Sequence, residues 1–284
     1  MDTLKRKIVA DSSSDLIAFD AADFAAAPLK IITSEKEYVD DQNLDVAGMV
    51  NDLLTYNGRS STSCPNTQDW LDAFGDADEV FCITITSNLS GAYNAAVTAK
   101  EAYEAAHPGR KVCVIDSLST GPEMVLVMEK MAEMMAEGLS YDEIEKKSRQ
   151  YLKHTGLLFM LESMANLANN GRVSPVVAKV AGLLGIRVVG KASDHGTLEQ
   201  LNKCRGESRA LDAIVNHLKE LGFAGGKIRI DHCLNLEAAR ELKSRILKQF
   251  DKARITIHEC RGLCSFYAEK GGLLVGFEKR LAAE

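Results

Sequence analysis

The sequence predicts an α/β protein: an N-terminal domain (residues 1–155) with a parallel sheet in a three-layer α/β/α arrangement, then a C-terminal α+β domain (156–284). In the first half, short β-rich runs alternate with long helical patterns, the rhythm of βαβ units whose sheet is covered on both faces. In the second half a hairpin-type turn is mixed with helices, which breaks that rhythm. The 284 residues, 46% hydrophobic and 26% charged, suffice for one large or two medium domains and exclude a disordered chain.

Taken in order, Lys7-Ile8-Val9-Ala10 is the first strand and runs into Asp11-Ser12-Ser13-Ser14-Asp15. Lys30 to Pro65 reads as a polar excursion with one short helix, Val46 to Thr55. Val80 to Ile85 is the next strand and ends in Thr86-Ser87-Asn88-Leu89-Ser90-Gly91. There Ser90 is the expected N-cap of an Ala-rich helix reaching Ala106, which His107-Pro108-Gly109 stops. Val112 to Ile115 leads through Asp116-Ser117-Leu118-Ser119-Thr120-Gly121 to Pro122, a first-turn proline of a helix that Gly138 ends. Beyond the expected boundary near Lys153–Gly156, Gly156 to Leu161 is an apolar run, and Ser174-Pro175 opens a helix to about Leu184. Ile186 to Val189 and Leu198 to Leu201 flank the turn Ser193-Asp194-His195-Gly196. A helix (Ser208 to Leu221), a strand (Lys227 to Ile230), a helix (Leu236 to Phe250), a strand (Arg254 to His258) and an apolar run (Gly272 to Phe277) follow.

The charge balance, 34 Lys+Arg against 40 Asp+Glu, gives a net −6 and disfavours nucleic acid or an anionic membrane surface as partner. Seven scattered cysteines, several inside apolar strands, read as reduced structural thiols rather than a disulfide framework. The charged N-terminus and the lack of a run of about 20 apolar residues give the expectation of a cytoplasmic protein without stable membrane insertion.

The informative chemistry lies in three strand ends rich in Ser and Thr, joined by Ser60-Ser61-Thr62-Ser63. In an open parallel sheet, ligands bind beyond the carboxyl ends of the strands, where helix N-termini direct free amides. Neutral hydroxyls and amides suit a small anion. Neither GxxxxGK[ST] nor GxGxxG is present and no lysine sits in these loops, so a singly charged carboxylate fits better than a polyphosphate. Asp11 and Asp116 suit either a metal or, with Ser12 and Ser117, capping. The six histidines show no metal-ligand spacing, no metal or catalytic residue is assigned, and GxSxG is missing. Met124, Met128, Met131, Met134 and Met135 at helical spacing read as core, and Gly171 as a helix C-cap followed by Arg172.

These segments resemble the DegV family, which includes the fatty-acid-binding subunits of bacterial fatty acid kinase. The resemblance spans nearly the whole chain. Ile8 to Leu16 is similar to the opening strand and acidic-serine loop, and Thr62-Ser63-Cys64-Pro65 to a Thr-Ser-Gln-Pro-Ser motif. Ser87 to Ala96 is similar to the Ser-x-x-Leu-Ser-Gly-Thr-Tyr segment, Val114-Ile115-Asp116-Ser117 to the third strand end, and Leu167 to Ser174 to the Gly-Arg-Ile/Val-Ser segment. The resemblance implies a long-chain fatty acid held between two domains, its carboxylate on Thr62, Ser63, Ser90 and the Gly91 amide. The family's C-terminal His-Thr-Gly-Pro-Gly is replaced by Tyr267-Ala268-Glu269-Lys270-Gly271, where the Tyr267 hydroxyl stands for the histidine. Arg172 falls where the family contacts its kinase. The expectation is a non-enzymatic, monomeric carrier without cofactor that presents the acyl carboxylate to a separate ATP-dependent fatty acid kinase. The alternative is a hydrolase or transferase with Ser90 or Ser63 as nucleophile and His232 or His258 as base.

Overall fold

A computed structural model describes residues 4–174 and 185–280. The helix expected from Ser174-Pro175 to Leu184 lies outside the described residues except for Ser174. The first strand run becomes β1 (Arg6–Asp11), which pairs in parallel with β2 (Phe24–Ala27) and β6 (Glu79–Thr84); β7 (Lys111–Asp116) joins β6, giving a parallel sheet in the order β2-β1-β6-β7. Period-two alternation divides its residues between two cores. Val80 and Cys82 face α2 (Thr67–Phe74) and α3 (Ala92–Ala106), against Trp70, Phe74, Ala96 and Tyr103. Phe81 and Ile83 face α4 (Pro122–Ala136) and α5 (Tyr141–Leu152), against Met124, Met128, Met131 and Ile144. The methionines at helical spacing are therefore core, and this half is the three-layer α/β/α unit expected.

The segment 30–65 differs from expectation. Besides α1 (Val46–Thr55), it forms β3 (Lys30–Ile32), β4 (Glu37–Val39) and β5 (Ser61–Ser63), an antiparallel sheet in the order β4-β3-β5. Each strand has three residues, too few for an alternating signal, and only Ile31 and Tyr38 are buried among them. These two pack with Met49 and Val50 against Phe266 and Leu161 of the second half.

The second half builds a six-stranded sheet, β10-β9-β8-β13-β11-β12. Its strands are β8 (Thr155–Leu161), β9 (Ile186–Ala192), β10 (Leu198–Arg205), β11 (Lys227–His232), β12 (Arg254–Glu259) and β13 (Leu273–Glu278). Strands β9 and β10 form the expected hairpin. One face carries α7 (Glu207–Glu220) and α8 (Leu236–Gln249), packed through Ile214, Leu218, Leu242 and Ile246 onto Leu158, Met160, Ile230 and Val275. The short helices α6 (Ala165–Asn169) and α9 (Gly262–Ala268) adjoin the other face. Gly171 follows α6 with φ +73°, the left-handed stop expected of it.

Helix α4 is buried from Pro122 through Met128 because it lies against both sheets. The approach requires Gly276 on β13, where a Cβ would stand 2.6 Å from the Glu123 amide nitrogen. All seven cysteines are free thiols. Among the described residues no helix is long and apolar enough to cross a membrane.

Candidate functional site

Between the carboxyl ends of the parallel strands and the open face of the six-stranded sheet lies a cavity of about 380 Å³, within the range of roughly 300–1,000 Å³ usual for ligand pockets. Alternation along β8 sends Leu157, Phe159 and Leu161 into this wall while Leu158 and Met160 enter the opposite core. Leu274, Ala192 and Leu198 extend the wall across β13, β9 and β10, and Leu29, Ile85, Leu89 and Leu118 face it from the first half. Among the described residues the lining has no His, Asp, Glu or Lys, and Arg172 is its one charged side chain.

Part of the polar lining is drawn together by direct contacts into one cluster, the polar end of the site. All six residues singled out from the sequence, Thr62, Ser63, Ser90, Gly91, Arg172 and Tyr267, line the cavity. Thr62 on β5 and Tyr267 on α9 are 205 positions apart, yet their hydroxyls are hydrogen-bonded at 2.8 Å. Two hydroxyls sharing one bond leave one O–H hydrogen for a further acceptor. Burial pushes the Tyr267 phenol up, so it is neutral across the physiological range. Asp40, from the excursion, fixes α9 in place: its carboxylate accepts from the Gly262 and Leu263 amides, each at 2.9 Å. Helix α9 has no counterpart among the sequence expectations, since its seven residues are too few to show a helical period.

Ser90 departs from its expected capping position. Gly91 is the N-cap, helical in φ and ψ, and Ser90 Oγ accepts from the Ala92 amide at 3.2 Å. Gly91 with φ −76° and ψ −1° starts the turn one residue later than Ser90 would, so the serine reaches the second amide after it and keeps its own hydrogen free to donate. A Cβ on Gly91 would stand 3.2 Å from Cys64 Sγ, so the glycine and the cysteine form one narrow stretch of lining. Ser63 Oγ donates to the Cys64 carbonyl at 3.3 Å. Half-buried Arg172 donates from Nε to the Leu89 carbonyl at 3.2 Å and also bonds the Asn170 carbonyl. Its guanidinium lies 5.9 Å from the centroid of the Tyr267 ring, within cation–π reach.

The acidic-serine loops serve as scaffolding. Asp11 accepts from the Ser13 amide at 3.1 Å and the Ile85 amide at 2.8 Å, and burial pushes its carboxyl up to about 6. Asp116 accepts from the Ser87 and Leu118 amides at 3.1 and 3.0 Å. Among the described residues no group of three or more His, Cys, Asp or Glu is placed to hold a metal. His232 and His258 end their strands away from the cavity lining, and burial holds His258 down to about 4. Neither therefore stands as a base beside Ser90 or Ser63. Sequence reasoning left out of the site Thr86, Ser119 and Thr120, which also line it and whose signal was their place in the same strand-end loops.

Fold and cavity together define a class: α/β proteins with a parallel and a mixed sheet that enclose a mainly apolar cavity lined also by hydroxyls and one arginine. Within that class, the sequence profile of the DegV family, a family of uncharacterised proteins, matches residues 5–280, and the chain belongs to this family. A DegV domain-containing protein of Streptococcus pneumoniae is 41% identical over 276 residues, 96% of this chain and 98% of the relative. A DegV family protein from Eubacterium eligens, solved loaded with heptadecanoic acid, superposes with a TM-score of 0.95 at 42% identity, covering 97% of this chain and 100% of that one. The Streptococcus pneumoniae fatty acid kinase (Fak) B3 protein, solved loaded with linoleic acid, also reaches a TM-score of 0.95, at 40% identity, covering 98% of this chain and 100% of that one.

Proposed function

We propose that this protein is a cytoplasmic, monomeric carrier of a long-chain fatty acid, held between domains 1–155 and 156–284. It presents the carboxylate to a separate ATP-dependent fatty acid kinase and is itself not an enzyme. The observation that carries the reading is the make-up of the cavity: a mainly apolar lining that also carries Thr62, Ser63, Ser90, the Gly91 amide, Tyr267 and Arg172, with Thr62 and Arg172 both in contact with Tyr267. A carboxylate taken out of water loses several kcal/mol unless donors replace its hydration. Ser90 and the Thr62–Tyr267 pair each have a hydrogen to give, the α3 N-terminus adds favourable dipole, and Arg172 supplies the positive charge. The acyl chain contributes affinity at about 0.8 kcal/mol per buried methylene. Arg172, half-buried in the lining, is also the residue assigned to kinase contact. The fatty acids in the Eubacterium eligens and Fak B3 structures support the ligand class, and Fak B3 supports a kinase partner.

Native mass spectrometry of the purified protein, with lipid extraction of the same sample, tests the reading. Bound long-chain fatty acid at one per chain is expected. Protein that is empty and takes up no added oleic or palmitic acid overturns it.

A further inference from the structure

The segment that carries the polar donors, residues 86–91, is also tied to the opposite side of the cavity. Thr86 Oγ1 donates to the Gly196 carbonyl at 2.9 Å and accepts from the Asn88 amide at 3.3 Å. Asn88 Nδ2 donates to the His195 carbonyl at 2.6 Å. Both carbonyls belong to the tip of the β9–β10 hairpin. The tip is braced within itself, since the Ser193 amide donates to Thr197 O at 2.8 Å, the Gly196 amide to Ser193 O at 2.8 Å, and the Ser193 and Thr197 hydroxyls lie 2.8 Å apart. It therefore docks as a unit.

The fit at the docking point is close. Gly196 has φ +72°, and a Cβ there would stand 2.2 Å from Thr86 Oγ1 and 3.0 Å from Leu118 Cα. Leu118 is itself in the left-handed region at φ +52°, a costly conformation for a bulky residue, held by the Asp116 carboxylate on its amide. Thr86 uses its hydroxyl as donor to the hairpin and as acceptor from the loop that leads to Ser90. Ala192, Gly196, Thr197 and Leu198 make the hairpin a section of cavity wall.

We propose that Thr86 is a positioning residue coupling the two sides of the site: its hydroxyl ties the hairpin wall to the loop that grips the ligand's polar end. Ligand held on that loop favours the docked hairpin, by linkage the docked hairpin tightens ligand binding, and the tighter binding is expressed in the release rate, where most affinity differences between variants of one site fall. This inference rests on the carrier reading, and its test separates the two. Wild type, Thr86→Val, Thr86→Ser and Asn88→Ala are loaded with a fluorophore-labelled long-chain fatty acid, and release to excess delipidated albumin is followed, alongside amide hydrogen exchange of residues 192–198. Thr86→Val keeps the volume and removes the hydroxyl, and releases ligand about tenfold faster with faster exchange in the hairpin. Thr86→Ser keeps the wild-type rate, and Asn88→Ala, on the exposed side, speeds release by about two- to fivefold without risk to the core. Wild-type loading with unchanged release from Thr86→Val and Asn88→Ala, or Thr86→Ser as fast as Thr86→Val, overturns the coupling alone. Wild type that takes up no fatty acid overturns the carrier reading and the coupling with it.

Discussion

The two ends of the cavity are built on opposite rules. One continuous stretch of the apolar wall comes from consecutive strands of one sheet, where every second residue of β8 faces inward and neighbours on β9, β10 and β13 extend it. The polar end is a convergence: β5, the loop before α3, the loop after α6, and α9 each give one or two side chains, and no two of these segments are adjacent in sequence. A wall made by one sheet tolerates change in a single side chain because its neighbours share the surface. An end made by convergence depends on each anchor, as Asp40 holding α9 and Arg172 resting on the Leu89 carbonyl illustrate.

Three substitutions test that contrast. Phe159→Ala, in the wall, is expected to cost about 3 kcal/mol of stability in chemical denaturation, the low end for deleting a buried phenyl because a cavity already adjoins it. Fatty acid binding survives the change, with wider acceptance of chain lengths in competition assays; loss of all binding would break the contrast. At the polar end the order reverses, with small effects on folding and larger ones on affinity. Ser90→Ala weakens fatty acid binding by about 1.5–3 kcal/mol, since the lost donor faces a charged acceptor, whereas Tyr267→Phe, where Thr62 remains, costs about 1 kcal/mol. Titration of delipidated protein reads both, and equal affinities for wild type and Ser90→Ala would remove Ser90 from the site.

The smallest effect concerns charge kept behind the wall. Asp15 is buried, with Oδ1 on the Arg261 amide at 2.7 Å and Oδ2 without a partner. Burial first, and then the Asp231 charge, raise its carboxyl well above the usual range, and burial takes Asp231 to about 6 despite its pairing with Arg229. A native pKa above the unfolded value of about 3.9 means that the protonated form favours folding. The contribution is full below about pH 4 and is lost as pH rises through the native pKa, near 6 for Asp11 and Asp231 and likewise raised for Asp15. Asp15→Asn is expected to flatten the fall in melting temperature as pH rises above the unfolded carboxyl value of about 3.9; an unaltered pH profile would show that Asp15 carries none of it.

Much of the polar end was legible because its chemistry is local. Hydroxyls at strand ends, Ser-Thr runs and Gly91 at a helix start are visible in short windows, and the DegV-like order of segments joins them. Most of the strand and helix succession was legible for the same reason, down to the Val46–Thr55 helix, but β2, α2 and α5 have no counterpart among the expectations, and α6 only its Gly171 stop. The three-residue strands of the excursion and α9 were not legible either, because neither is long enough to repeat its pattern distinctly and both are fixed by distant partners, Asp40 on Gly262 above all. The wall was illegible too. Leu157 and Leu158 are chemically identical neighbours, and only the sheet decides that one lines the cavity and the other the α7–α8 core.

The position of β13 bears on how the protein is made. It pairs with β8 on one side and β11 on the other, so it sits inside the six-stranded sheet although it is synthesised after every strand it joins. On the ribosome, the parallel sheet of the first half is complete once β7 and its helices have emerged. Once β12 has followed but before β13, the second sheet is two separate pieces, β8-β9-β10 and β11-β12, each with an unpaired edge beside the gap. Until residues 273–278 clear the exit tunnel, Leu157, Phe159 and Leu161 face solvent on an open strand. The nascent chain therefore passes through an interval of exposed edge and exposed leucine, and its yield in the cell depends on how quickly that final stretch is delivered or how well a chaperone covers the gap.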